Sequence, residues 1–266
     1  MSAVARGRQG TIYVVAKAPH PGKAKTRLCP PLTPEEAARL ATAFLLDTVE
    51  NVRAAGLVAR VICRDAPEQE ALQRLLGTAT TVHVQEGYGL GAALETAFRQ
   101  GLADGFEAIG VLGADVPTLP PAVLADAFEV VHRGADVALG PSDDGGYYLL
   151  VARTVHPTLF RNMVWSTDSV ARITLARCRG AGLGTCLLPL WYDVDDAAGL
   201  ATLREALLRA PDGVAPHTRA ELLVSFPPHA PAPVSPWERG ERLPEGGKGE
   251  GGELLAGVKH GSGGRR

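Results

Sequence analysis

Gly110-Val-Leu-Gly-Ala-Asp-Val-Pro117 decides the fold. Its approach, Glu107 to Leu112, is short and mostly apolar, the pattern of an interior strand in a parallel sheet. Gly113 and Ala114 are small and let other groups near the backbone. Asp115 follows at the strand's carboxyl end, where open α/β sheets bind ligands. Pro117 has no amide proton and stops the ladder. A hard carboxylate on a rigid strand end suits Mg²⁺ or Mn²⁺ held against phosphate oxygens. A turn aspartate can equally bond its own backbone, so the rest of the chain must choose.

Working outward, Thr11 to Ala16 is β-rich and reads as the first, central strand. A loop from Lys17 to Pro31 follows. Thr33-Pro-Glu-Glu36 is a capping box with proline at the first helical position. The helix behind it sets Ala37, Leu40, Ala41, Phe44, Leu45, Thr48, Val49 and Val52 on one face and ends at Gly56. Strands are expected over Leu57 to Cys63, Thr80 to Val84, Val137 to Gly140, Tyr147 to Ala152 and Thr185 to Leu190. Helices are expected over Pro67 to Leu76, Ala92 to Leu102, Pro120 to His132 and Asp168 to Gly180, with a short helix or turn within Pro157 to Trp165. A helix from Ala197 to Leu208 closes the expected fold. Strands alternating with helices argue for a three-layer α/β/α fold with a mostly parallel sheet. The Asp-Gly signal near Gly145 adds an antiparallel strand.

Composition narrows the function. Hydrophobic residues make up 45% of the 266 and charged ones 21%, a globular profile. A formal net charge of -2 supplies no global basic field for nucleic acid or a membrane surface. No apolar run approaches the roughly 20 residues of a membrane span. Cys29, Cys63, Cys178 and Cys186 are scattered and suggest neither a disulfide framework nor a zinc site. Met1 to Gly10 lacks the apolar core of a signal peptide, so the expectation is a cytoplasmic protein with reduced thiols. The expected domain is 11–225, between a leader (1–10) and a disordered Pro/Gly-rich tail (226–266). Oligomeric state leaves no mark.

Four stretches can carry chemistry. Lys17-Ala-Pro-His-Pro-Gly-Lys-Ala-Lys-Thr-Arg27 puts Lys17, Lys23, Lys25 and Arg27 on a Gly/Pro loop at the expected ligand edge, able to hold a di- or triphosphate. It is not a Walker loop. In Gly140-Pro-Ser-Asp-Asp-Gly-Gly-Tyr-Tyr148 the double glycine permits close approach and the acids could orient hydroxyls, but spacing alone favours a plain hairpin turn. Asp193-Val-Asp195 sets two carboxylates on one side of an extended segment, able to complete an oxygen-ligand site with Asp115, while Asp195 or Asp196 could instead cap the next helix. Trp165-Ser-Thr167 reads as a helix cap beside a buried ring. His83, His132 and His156 read as surface or satisfied polar residues.

These motifs, in this order, resemble a bacterial family of GT-A-type transferases of unknown substrate, some of them linked to arsenosugar biosynthesis. It is related to the nucleotide-diphospho-sugar transferases, which include molybdenum-cofactor and 2-phospholactate guanylyltransferases. The resemblance covers about residues 11 to 205. It implies a GT-A fold with a nucleotide above the first strands. Lys25 and Arg27 would contact its phosphates, and Asp115 the bridging metal, assisted by Asp195. Asp144, Gly145 and Gly146, with Tyr147 beside them, would line the acceptor side. The last motif usually runs Asp-x-Asp-Thr, and here Asp196 replaces the threonine. Which of Asp193, Asp195 and Asp196 meets the metal stays open. The leading expectation is a metal-dependent transferase that moves a sugar from a nucleotide-activated donor to a small acceptor, with Asp144 as a possible base. Nucleotidyl transfer from an NTP to an acceptor phosphate and non-catalytic nucleotide binding are the alternatives.

Overall fold

The computed structural model describes residues 10–226. Except for Gly10 and Phe226, the expected leader and tail lie outside the described residues. One sheet carries seven strands in the order β3-β2-β1-β4-β6-β5-β7. β1 (Gly10–Val15), β2 (Val58–Cys63), β3 (Thr81–Val84) and β4 (Ala108–Gly113) are parallel. β6 (Tyr147–Ala152) runs antiparallel between β4 and β5 (Val137–Pro141), and β7 (Thr185–Leu187) lies parallel to β5. The Asp-Gly signal therefore does mark a hairpin with an antiparallel strand. It also brings the 142–146 turn to the sheet end where β1 and β4 finish.

Both faces of the sheet are covered, which is why its strands read as nearly unbroken apolar runs. Ile12 and Val14 face α1 (Pro34–Ala54) and α4 (Pro121–His132) through Leu45, Val49, Leu124 and Val131. Between them, Tyr13 points the other way, to Phe98, Phe160 and Cys178 of α3 (Leu90–Ala103), α5 (Pro157–Phe160) and α6 (Val170–Gly180). α2 (Ala66–Leu76) contributes Leu72 to the first face. The capping box is present: Thr33 accepts from the Glu36 amide while Glu36 accepts from the Thr33 amide.

A third apolar cluster lies on the far side of α1. It joins Leu28 and Leu32 of the first loop to Leu40 and Phe44 of α1, then Val194, α7 (Ala197–Arg209) and α8 (Pro216–Ser225). α8 is absent from the sequence reading, in which the preceding helix closes the fold. Its amphipathic signal is weak, with only Thr218 and Leu222 buried. Its cap comes from α1: the Asp47 carboxylate accepts from the amides of His217 (3.0 Å) and Thr218 (2.8 Å). A cap so distant in the chain is invisible to local pattern.

Several boundaries also differ, and two of the larger shifts have a local cause. β7 stops at Leu187 rather than Leu190, because Pro189 has no amide to continue the ladder. α3 starts at Leu90, one residue after Gly89, whose φ of 83° admits glycine readily.

Gly140, at the end of β5, is packed under a ring. A Cβ there would lie 2.3 Å from Tyr148 Cζ. The Tyr148 hydroxyl donates to Pro189 O at 2.9 Å, and only 3% of the residue is exposed, so the ring has nowhere to swing. Gly140→Ala is expected to cost about 1–3 kcal/mol in equilibrium urea unfolding. An unchanged midpoint would show that the ring gives way.

Candidate active site

The loop after β1 is folded by its own backbone. The amides of Lys23 and Ala24 both donate to His20 O at 3.0 Å. Lys25 then takes a left-handed conformation (φ 48°, ψ 41°) before a short 3-10 turn, Thr26–Leu28. Leu28, wholly buried, anchors that turn in the third cluster. From this perch the Lys25 ammonium donates to Asp115 Oδ1 at 2.8 Å and Asp195 Oδ1 at 2.7 Å. The lysine side chain is 9% exposed, against 40% and 47% for the two acids. Burial alone would lower its pKa, but Asp115 and Asp195 outweigh burial and hold it above the ordinary lysine value.

Both acids sit on fixed backbone. Ala114 O accepts from Thr48 Oγ1 (3.3 Å) and Pro117 O from Asn51 Nδ2 (2.9 Å), so α1 holds the Asp115 turn. Asp115 O accepts from the Val194 amide at 3.1 Å, and Val194 is buried in the third cluster. Asp196 caps α7, accepting from the amides of Ala198 and Gly199. Capping and site duties are thus divided between neighbours: Asp196 takes the helix and Asp195 faces the cleft. Two carboxylate oxygens within hydrogen-bond reach of one cation, each acid partly open to water, form a donor set that fits a hard divalent ion.

A cleft of about 500 Å³ collects Lys17, Lys23, Lys25, Arg27, Asp115, Asp144 and Asp195 on one surface. A second cavity of about 200 Å³ adjoins it, with Asp144 common to both. Its walls include Leu90, Leu94, Val111, Tyr147 and Trp165, with Gly146, Ser142 and Asp193 among the polar or small positions. Asp144 Oδ1 accepts from Ser142 Oγ and from the Gly146 amide (2.7 Å), so the turn holds its own carboxylate in place. Gly145 lines neither cavity. Its φ is 87°, and a Cβ there would lie 2.1 Å from Asp168 O, so it is a packing glycine against the 165–168 segment.

That segment is the main residue group the sequence reading misplaced. Trp165-Ser-Thr167 is not a helix cap: α6 begins at Val170 after Ser169. Instead Ser166 and Thr167 line both cavities and Asp168 the larger one, with Ser166 at φ 61°. A run of small polar residues after a tryptophan was the available signal for a loop. His83 is not satisfied either, since its Nε2 is buried without a partner, and burial lowers its pKa. Asp47, Glu50 and His217 could gather around a cation, but Asp47 is already the cap of α8. Among the described residues no helix is long and apolar enough to cross a membrane.

Nucleotide-dependent transferases share this fold. A candidate nucleotide-diphospho-sugar transferase from Desulfovibrio desulfuricans G20 shares it with a TM-score of 0.73 and 28% identity, over 79% of this chain and 94% of that one. A Methanothermobacter nucleotidyl transferase shares the fold at 19% identity and a TM-score of 0.52, over 76% of this chain and 99% of its own. Residues 48–167 match the family described as "Uncharacterized protein conserved in bacteria (DUF2064)". The phosphoenolpyruvate guanylyltransferase of Rubrobacter xylanophilus is 38% identical over 120 residues, 45% of this chain. The match spans 58% of that relative's length.

Asp193 lines the smaller cavity. Burial first, then Asp144 and Asp195, push its carboxyl from 3.8 up to about 6. Folding therefore favours the protonated form, and the stability this group contributes is lost as pH rises through about 6. In metal-free buffer, Asp193→Asn is expected to match the wild-type thermal midpoint near pH 4 and to exceed it above about pH 7. Thermal unfolding across that range checks it; a constant difference at every pH would contradict the assignment.

Proposed function

We propose that this chain is a nucleotidyltransferase. An oxygen of an acceptor phosphate attacks the α-phosphorus of a nucleoside triphosphate, the bond between the α-phosphorus and its bridging oxygen breaks, and pyrophosphate leaves. The observation that carries this reading is the set of cations gathered in the cleft: Lys17, Lys23, Lys25 and Arg27 line it beside Asp115, Asp144, Asp168 and Asp195. Four cations suit a triphosphate and the charge that develops on departing pyrophosphate. The guanylyltransferase name of the Rubrobacter relative supports the same reading.

The residues divide the work. Arg27 can fork onto phosphate oxygens, while the lysines act as point charges. Asp115 and Asp195, with Asp193 nearby, would hold Mg²⁺ or Mn²⁺, which when bound neutralises phosphate charge. An acceptor phosphate is already anionic, so its attack needs no base. Asp144, tied by Ser142 and Gly146, then serves to position the acceptor rather than to take a proton. The acceptor's body would extend into the second cavity, among Leu90, Leu94 and Trp165.

Sugar transfer from a nucleotide-activated donor is the second reading. The raised carboxyl of Asp193 favours it, because a hydroxyl acceptor would need a base poised near neutrality.

A thermal-shift screen of nucleoside triphosphates and nucleotide sugars, with and without Mg²⁺ or Mn²⁺, separates the readings. A ligand that binds the native state raises its stability, whatever the acceptor. Stabilisation by a triphosphate, and pyrophosphate release once an acceptor is present, is the expected result. Stabilisation by nucleotide sugars alone would replace it with the second reading. Asp115→Asn is expected to abolish the metal-dependent part of the shift, and an unchanged shift would remove Asp115 from the metal site.

A further inference from the structure

We propose that Lys25 is the resident counter-ion of the metal site, so that a divalent cation and a polyphosphate enter the cleft as a coupled pair. This rests on reading the cleft as a metal and polyphosphate site, but not on which group is transferred.

The ammonium occupies the position that brings Asp115 and Asp195 together, 2.8 and 2.7 Å from their oxygens. The backbone that carries the acids is held in place. Asp115 is held through the carbonyls on either side of it by α1, and its own carbonyl accepts from the Val194 amide beside Asp195. Val194 itself is buried in the third cluster. A divalent ion held by the same two acids would compete with the ammonium, and like charges repel strongly in a partly buried site. One cation must therefore give way.

Lys25 can leave only at the cost of two ion pairs, and its side chain is the most buried of the three. Without a new partner, that loss opposes metal entry. A polyphosphate in the cleft supplies the partner, because Lys25 lines the same surface as Lys17, Lys23 and Arg27. Polyphosphate thus draws Lys25 away from the acids and frees them for the metal. Thermodynamic reciprocity requires the metal to favour polyphosphate by the same factor. The pairing of Lys25 with the acids is then one half of an exchange: the lysine guards the acids until its replacement arrives.

The test is Mn²⁺ binding to the full chain without nucleotide, followed by the electron paramagnetic resonance signal of free Mn²⁺. Lys25→Met removes the competing charge and keeps most of the stem. It is expected to bind Mn²⁺ at least about tenfold more tightly than wild type, within the range of allosteric couplings. Lys25→Arg, which retains the charge, is expected to bind like wild type. Equal or weaker binding by Lys25→Met, or no binding at all, overturns the proposal. Should Lys25→Met fail to fold, the wild-type protein serves. Reductive methylation at Lys25, read by mass spectrometry, is expected to be slow in the free protein and faster with saturating Mn²⁺. Adding inorganic tripolyphosphate is expected to slow it again, and a rate indifferent to Mn²⁺ overturns the exchange. Because the Mn²⁺ titration contains no nucleotide or acceptor, failure to release pyrophosphate would leave this proposal standing, and the reverse holds too.

Discussion

One ammonium shared by two carboxylates ties together three segments that are distant in the chain: the loop after β1, the end of β4 and the stretch before α7. A buried ion pair of this kind is weak evidence for stability, because desolvation consumes most of the Coulomb gain. Its effect is to fix positions. Removing the lysine leaves two carboxylates facing each other at the point where the sheet opens to solvent. The geometry of the cleft follows from that constraint: the basic wall stays close to the acids, and the acids stay close to each other.

The constraint holds because apolar packing stands behind it. Leu28 follows the basic turn and Val194 separates Asp193 from Asp195, and both are buried against the outer face of α1. A single helix therefore serves two cores. Its inner face packs on the sheet, and its outer face sets the spacing between the charged segments. α8 covers that outer cluster, and Asp47 of α1 caps it, so a helix far from the cleft contributes to the cleft's shape.

The sheet was largely legible from pattern, because strands buried on both faces leave apolar runs and Asp-Gly marks the hairpin turn. Asp115 was legible for the same reason: a strand ended and a carboxylate followed. What escaped were features whose causes lie elsewhere in the chain. α8 has a weak apolar stripe and a remote cap. The 165–168 segment packs on Gly145, with β6 and α5 between them in the chain. Lys25 could be read as a phosphate ligand, but not as the ammonium seated between Asp115 and Asp195, since no local rule pairs residues from three separate loops. The division of duty between Asp195 and Asp196 was visible only as an open choice, which backbone geometry then resolves in favour of Asp196 as the cap.

The contact between Gly145 and Asp168 bears on how such a protein could diversify. The Ala171 amide also donates to Gly145 O at 3.0 Å, so the hairpin and the segment leading into α6 are clamped edge to edge. These are two rims of the smaller cavity. With the rims clamped, its aperture behaves as a fixed gauge rather than a mouth that opens to fit. A lineage seeking a bulkier or slimmer partner molecule would have to exchange the side chains that paper the walls, such as Leu94 or Trp165, because respacing the loops would first require breaking the clamp. Change in such a pocket should therefore come through single substitutions on a constant frame, with loop lengths staying put.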